Sequence, residues 1–296
     1  MKKLLLLATT LMFTACSSET SNQATLPVEQ TQTNISSANS EHSPMFIEKL
    51  KLGKKYNARL AIKKYEQKSI CGKNDLQEVN SYDGSLGQTK EFVKAHQSSV
   101  GAMEEKGTDN SSKFCSGTLI SEDLYLTASH CVEGGSPTTN YVAFNYEKAA
   151  GSQTVLPQSH FKVAEVVEEG GSDQIDYAIL KLEGKPGAKF GFRKINADKL
   201  EDNTLLTIIQ HPSGKPKQVE VGHKGQTNSG VYMGYGDLDT EPGSSGSGVL
   251  DDKGMVVGVH TNGGCSSTSG ENKAVKMTEI AKVSKTIKAL IARNKK

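Results

Sequence analysis

The chain has 296 residues, and its 35 basic and 33 acidic side chains leave a formal net charge of +2. That near-balance gives no electrostatic footprint for a polyanion, so nucleic-acid binding is not expected. The length allows one large folded domain with room for leader and tether segments. The first residues, Met1-Lys2-Lys3, precede an apolar run over 4–15 that only Thr9, Thr10 and Thr14 interrupt. A positive start, a run too short to cross a bilayer and small residues before Cys16 describe a secretory signal over residues 1–15.

The end of that signal, Phe13-Thr14-Ala15-Cys16, resembles a bacterial lipobox, with Phe13 where Leu is usual. Cys16 would then become a lipid-bearing N-terminus; a signal cut at another position is the alternative. The chain has five Cys, an odd count for an exported protein. With Cys16 lipidated, Cys71, Cys115, Cys131 and Cys265 remain to form two disulfides in an oxidising compartment. None has metal-ligand spacing, and neither a metal nor an organic cofactor is expected. Residues 16–44, rich in Ser, Thr, Asn and Gln, read as a disordered tether, because they cannot bury enough surface to offset chain entropy. Residues 45–69 carry many Lys among Phe46, Ile47, Leu50, Leu52, Leu60, Ile62 and Tyr65. A solvated stalk is the preferred reading; a pro-segment and a basic helix on anionic lipid remain open.

From residue 70 to 296 the sequence has the density of a folded domain, about 225 residues, enough for one large core or two half-barrels. Strand-like runs fall at 116–120, 125–128, 141–146, 162–167, 177–182, 205–210, 218–223, 231–234, 248–250 and 255–260, divided by Gly, Pro, Asn and Asp. Residues 249–257 read as a hairpin with a polar turn. No central region alternates strand with long helix, which argues against a parallel sheet. Near the end, Ile280, Val283, Ile287, Leu290 and Ile291 share one face at helical periodicity.

Three segments carry the chemistry, in the order His, Asp, Ser. They are Thr127-Ala128-Ser129-His130-Cys131, then Asp176-Tyr177-Ala178-Ile179-Leu180, then Glu241-Pro242-Gly243-Ser244-Ser245-Gly246-Ser247-Gly248. A serine hydroxyl becomes a useful nucleophile when a neutral imidazole takes its proton, and a buried carboxylate holds that imidazole's tautomer. Such distant residues meet only through a fold, so the pattern points to a serine peptidase acting on proteins or peptides. Asp173 competes with Asp176 as the carboxylate; Asp176 is favoured because an apolar strand follows it directly. The Gly/Ser run would pass for a linker by itself, but the apolar Val249-Leu250 follows at once. A lipase-type Gly-Xaa-Ser-Xaa-Gly elbow does not fit, because position 247 is Ser.

Over residues 71–290 these segments resemble the chymotrypsin-fold serine peptidases, and more closely the bacterial branch of glutamyl and lysyl endopeptidases. The resemblance implies an all-β domain, two packed six-stranded antiparallel β-barrels with a C-terminal helix, expected as a monomer. It implies that His130 is general base and then acid, Asp176 orients it, and Ser245 is the nucleophile. The N–H groups of Gly243 and Ser245 would form the oxyanion hole. A Cys115–Cys131 bridge would pin the His130 turn. The lysyl branch implies a second bridge, Cys71–Cys265, tying the start of the domain to the specificity pocket. Ser244 stands where animal trypsin-like enzymes carry an Asp that pairs with a newly cut N-terminus, so that switch is not expected. Gly248 replaces a Pro frequent in the bacterial branch. Gln210-His211-Pro212-Ser213-Gly214 resembles a family loop with a structural role.

For specificity, Val256-Val257-Gly258-Val259-His260-Thr261-Asn262-Gly263-Gly264 resembles a stretch of the glutamyl endopeptidases. Its His, with a Thr or Ser before the nucleophile, receives a glutamate side chain; His260 and Thr240 occupy the matching places. Asp239 stands six residues before Ser245, where trypsin-like enzymes bind Lys or Arg. Either Asp239 points away and His260 takes glutamate, which is preferred, or Asp239 faces the pocket and selects basic residues. A purely structural His260 is the third reading. From another class, the alternative is a catalytically silent envelope binding protein on the same fold. Export is expected in every case, as a secreted protein or as an envelope lipoprotein that meets the membrane only through its lipid.

Overall fold

Residues 69–226 and 230–294 are described by the computed structural model. The expected signal peptide, Cys16, the tether and the stalk before Ser69 lie outside the described residues. Ser69 itself belongs to the folded domain. It is buried, and its carbonyl accepts hydrogen bonds from the Thr240 N–H at 3.0 Å and the Asn272 amide at 2.8 Å.

A short strand β1 (Gln77–Glu78) and a helix α1 (Lys90–His96) lead into the first barrel. Its strands are β2 (Val100–Glu104), β3 (Lys113–Leu119), β4 (Leu124–Thr127), β5 (Tyr141–Phe144), β6 (Ser159–Glu169) and β7 (Ala178–Leu182). They close on themselves, all antiparallel, in the order β2-β3-β4-β7-β6-β5. After the one-turn helix α2 (Pro186–Phe190), the second half is built from six more strands. These are β8 (Leu205–Gln210), β9 (Gln218–His223), β10 (Tyr232–Tyr235), β11 (Gly248–Leu250), β12 (Val256–Asn262) and β13 (Asn272–Lys276). With β1 at its edge, this sheet runs β1-β9-β8-β11-β12-β13-β10. The expected all-β, two-barrel architecture is therefore present, with one added edge strand from the N-terminal segment.

Side-chain alternation explains how the halves join. Successive residues of a strand face opposite sides, and in β8 Leu206 and Ile208 enter one buried cluster while Ile209 enters another. Met103, Leu119, Tyr125, Phe144 and Leu180 fill the first barrel. Met233, Tyr235, Leu238 and Val249 join Leu206 and Ile208 inside the second. The third cluster spans both halves, bringing Leu126 and Ile179 together with Ile209, Val259, Ile280 and Ile287.

Three strands escape the sequence pattern. β1 has two residues and no apolar side chain; β2 is interrupted by Gly101 and ends in Glu104; β13 holds only Ala274 and Val275 among polar residues. The C-terminal helix is two helices, α3 (Met277–Val283) and α4 (Lys285–Asn294). Ser284 separates them, because its hydroxyl accepts the Ile287 N–H at 3.0 Å and caps the second. Ile280 and Ile287 are buried as expected, whereas the break leaves Val283 half exposed.

Both disulfides are present as the resemblance implies, Cys71–Cys265 and Cys115–Cys131. The second closes a short loop, 16 residues apart in sequence. Replacing Cys115 and Cys131 together by Ser should lower the free energy of unfolding in urea by about 3 kcal/mol. A loss below about 1 kcal/mol would show that packing alone holds the loop.

Candidate active site

Strands β4 and β7 lie side by side, with Thr127 opposite Ala178. The residues just beyond those ends, His130 and Asp176, are brought together by that register. His130 sits in a 3₁₀ turn (Ser129–Cys131) that follows β4 through Ala128. Its backbone N–H donates to Asp176 Oδ1 at 3.0 Å, and its Nδ1 meets Asp176 Oδ2 at 2.6 Å. Asp176 is only 4% exposed, so it answers the turn with two hydrogen bonds in a water-poor place. Asp173, the rival carboxylate, is exposed. Burial lowers the basicity of His130, but the charge and hydrogen bond of Asp176, helped by Glu133, outweigh it. The result is a pKa raised above 6.5.

The loop carrying Ser245 joins β10 to β11 and is held from the first barrel. The Ser116 N–H of β3 donates to the Ser245 carbonyl at 2.8 Å, and Ser116 Oγ donates to the Gly243 carbonyl at 2.8 Å. Cys131 Sγ lies 3.7 Å from the Ser245 carbonyl oxygen, which sets the loop alongside the His130 turn. Among the described residues Ser245 Oγ is in no hydrogen bond; such bonds are often long before substrate binds. Ser244 is fully buried and accepts the Glu241 N–H at 3.0 Å, a bracing role in place of the family's activation Asp.

Two glycines are obligatory here. Gly243 has φ +96° and Gly246 φ +90°, a region that L side chains rarely occupy. A Cβ on Gly246 would also collide with Thr127 Oγ1 and the Ser116 carbonyl. The Pro242 carbonyl accepts the Ser213 N–H at 2.6 Å. The N–H groups of Gly243 and Ser245 have no protein acceptor among the described residues. The Gln210–Gly214 loop thus braces the serine loop, and His211 N–H adds a 2.9 Å bond to Ser116 Oγ.

Among the candidate pocket residues, Asp239 is turned toward the N-terminal segment. Its Oδ1 accepts the Cys71 N–H at 2.6 Å and its Oδ2 the Asp75 N–H at 3.3 Å. Burial pushes its pKa up to about 6 despite those bonds. Thr240 is 0% exposed, and its hydroxyl has no partner among the described residues. His260 is buried, with Nδ1 2.5 Å from the Tyr235 hydroxyl. Burial and then the nearby His130 push its pKa down to about 3, against smaller opposing effects of Asp176 and the Lys273 carbonyl, so the ring is neutral. Burial keeps the Tyr235 phenol protonated, well above 10. When that phenol donates to Nδ1, the proton of the imidazole sits on Nε2.

Ser116, Tyr235 and Asn272 are site residues that the sequence did not single out. Asn272 Oδ1 accepts the N–H groups of Gly264 and Cys265 at 3.0 and 3.2 Å. Its Nδ2 donates to the Ser69 and Leu238 carbonyls, both at 2.8 Å. One buried amide thereby pins both stretches that frame the pocket. Each has at least one partner more than 20 residues away, which no local pattern marks.

A two-barrel β fold with a His–Asp pair whose turn lies beside a glycine-bounded serine loop defines a trypsin-like serine peptidase. The family described as lysyl endopeptidase, C-terminal domain, matches residues 79–277, and the chain belongs to it. Exfoliative toxin A of Staphylococcus aureus is 26% identical over 222 residues, 68% of this chain and 74% of that protein. Glutamyl endopeptidase of Staphylococcus aureus is 28% identical over 160 residues, 51% of this chain and 47% of that protein. The chain therefore spans about half the length of those endopeptidases. The solved structure of Rv3671c from M. tuberculosis overlays with a TM-score of 0.49 at 18% identity, covering 72% of this chain and 97% of that one.

The electrostatics of the pair can be checked directly. The His130 ring resonances should titrate with a midpoint above 6.5. In Asp176→Asn the charge is gone and burial remains, so the midpoint should fall below 6.5. An unchanged midpoint in that variant would break the link between the two groups.

Proposed function

We propose that this peptidase cleaves peptide bonds through Ser245, His130 and Asp176, with a preference for glutamate on the acyl side of the cut. The observation that carries the reading is the two-point grip of Asp176 on His130, set beside a serine loop whose oxyanion donors are free. Asp176 holds the proton on His130 Nδ1, leaving Nε2 as the base. Nε2 takes the Ser245 Oγ proton as that oxygen attacks the scissile carbonyl. The negative charge that develops on the carbonyl oxygen is met by the N–H groups of Gly243 and Ser245, each worth about 10²–10³ in rate. His130 then hands its proton to the leaving amine. Water, deprotonated by the same imidazole, releases the acyl group and restores Ser245.

The specificity rests on three side chains. Thr240 brings a buried hydroxyl without a partner among the described residues, and a neutral His260 brings a second donor in the tautomer where the Tyr235 phenol donates to Nδ1. A glutamate carboxylate accepts from both. A basic side chain would meet no counter-charge there, because Asp239 is committed to Cys71 and Asp75. The Lys/Arg reading has the family description in its favour and the direction of Asp239 against it. Two disulfides support an oxidising location, hence export. The odd cysteine, Cys16, lies outside the described residues and is proposed to carry a lipid.

Mass-spectrometric mapping of cuts in an unfolded protein tests the whole reading. Cuts should follow Glu and drop by about 10⁶ in Ser245→Ala. Their kcat/KM should decline as the pH falls through the raised pKa of His130, since only the neutral ring is a base. His260→Ala and Thr240→Val should lose the Glu preference while Ser245 still reacts with a fluorophosphonate. Cuts after Lys or Arg, or a Glu preference kept in both pocket variants, would overturn the pocket assignment. A folded protein whose Ser245 fails to react would favour a silent binding protein.

A further inference from the structure

The turn that bears His130 and the loop that leads into Asp176 are fastened to each other twice, in opposite directions. Asp176 reaches from the loop to the turn and accepts the His130 N–H at 3.0 Å. Glu133, just past the turn, reaches back to the loop between β6 and β7. Its Oε1 accepts the Ser172 N–H at 2.6 Å, and its Oε2 accepts the Ser172 hydroxyl at 2.6 Å. Each segment thus places a carboxylate on a backbone N–H of the other. The reaction proposed above uses Asp176 and gives Glu133 no part.

Both ends of this second clasp are prepared locally. The Glu133 N–H donates to the Ser129 carbonyl at 3.0 Å, which carries the 3₁₀ turn onward. The buried Ser129 hydroxyl also donates to Glu133 Oε1, at 3.3 Å. On the other side the Gly170 N–H donates to the Tyr177 carbonyl at 2.9 Å and closes the base of the loop. Gly171, at φ +80°, turns the chain so that Ser172 faces Glu133, while Asp173 and Gln174 stay exposed. Hydrogen bonds to an ionised carboxylate are shorter and stronger than neutral ones. Glu133 therefore ties the tip of the loop to the turn, shortly before the chain reaches Asp176.

Charge acts together with geometry. Burial disfavours the charged His130 ring; Asp176 and then Glu133 favour it, with a net rise in basicity. The other titratable groups that face the pair, His260 and Tyr232, are uncharged near neutral pH. We propose that Glu133 is a positioning residue of the peptidase, clamping the Asp176 loop to the His130 turn and lending a second negative charge to the imidazolium. The inference rests on the Ser245, His130 and Asp176 reading. Asp176 holds the ring, and Glu133 holds the loop on which Asp176 stands.

Two variants separate position from charge. Glu133→Gln keeps a carbonyl for the Ser172 N–H and removes the charge, whereas Glu133→Ala removes both. In the full chain carrying Ser245→Ala, the His130 ring resonances should titrate lower in Glu133→Gln than in the parent. The drop should be smaller than in Asp176→Asn, and this measurement needs no turnover. In the active chain, the acid limb of kcat/KM for a peptide that the parent cuts should move to lower pH in Glu133→Gln. Glu133→Ala should show the same move and lose about tenfold or more in plateau kcat, because the reacting groups are less well placed. A purely structural residue would lower the melting temperature and leave the midpoint and the acid limb where they are. A parent-like midpoint in Glu133→Gln overturns the proposal, whether or not Glu133→Ala folds. A parent-like plateau kcat in Glu133→Ala overturns it equally. An Asp176→Asn midpoint equal to the parent's is a separate failure, which sinks the triad reading and this inference with it.

Discussion

One serine on the first barrel carries the geometry of the loop that belongs to the second. Ser116 donates its N–H to the Ser245 carbonyl, donates its hydroxyl to the Gly243 carbonyl and accepts the N–H of His211. Its own carbonyl takes the Thr127 hydroxyl at 2.8 Å, two residues before the turn that bears His130 begins. Ser116 thereby fastens the serine loop to the first barrel, with Cys131 and Thr118 adding contacts to Ser245 and Gly248. Barrel packing by itself is non-directional and would tolerate small slips. Hydrogen bonds of fixed length do not, and reacting atoms need placement to within a fraction of an ångström.

The serine loop is rigid for the same reason that it is exposed to substrate. Gly243 and Gly246 turn the chain through dihedrals that no other residue accepts cheaply, and Ser244 locks the bend from inside. Carbonyls that could collapse inward are occupied elsewhere: Pro242 by Ser213, Gly243 by Ser116. Among the described residues the N–H groups of Gly243 and Ser245 remain unpaired, and they are the donors proposed for the oxyanion. Preorganised donors of this kind need no rearrangement when charge develops.

The pocket side rests on burial. His260 and Tyr235 are hydrogen-bonded in a place too dry for a charged ring, so the imidazole stays neutral. Asn272 saturates its amide on four backbone groups and so joins the N-terminal segment, the loop before Thr240 and the Gly264–Cys265 wall. The Cys71–Cys265 bridge reinforces the same junction. Residues 69–75 are thus a working part of the pocket's frame, although a reading of composition alone ends the stalk at residue 69.

By itself the sequence determined the fold class and the peptidase family, and it marked His130, Asp176 and Ser245 as the residues proposed for the chemistry. Those features are local, written in short motifs whose spacing reflects backbone geometry, and β8, β9 and β11 were legible to the residue from an apolar run, an alternating Val pattern and a flanking Gly. It left the direction of Asp239 open, did not single out Ser116, Tyr235 or Asn272, and missed β1, β2 and β13. A side chain's partner depends on what the fold carries to it from far along the chain. Asp239 sits in a position that could hold a basic substrate, and only the packing of residues 71–75 against it turned the carboxylate away. The tertiary structure alone decided that, because the two orientations differ in long-range hydrogen bonds rather than in anything local to the residue.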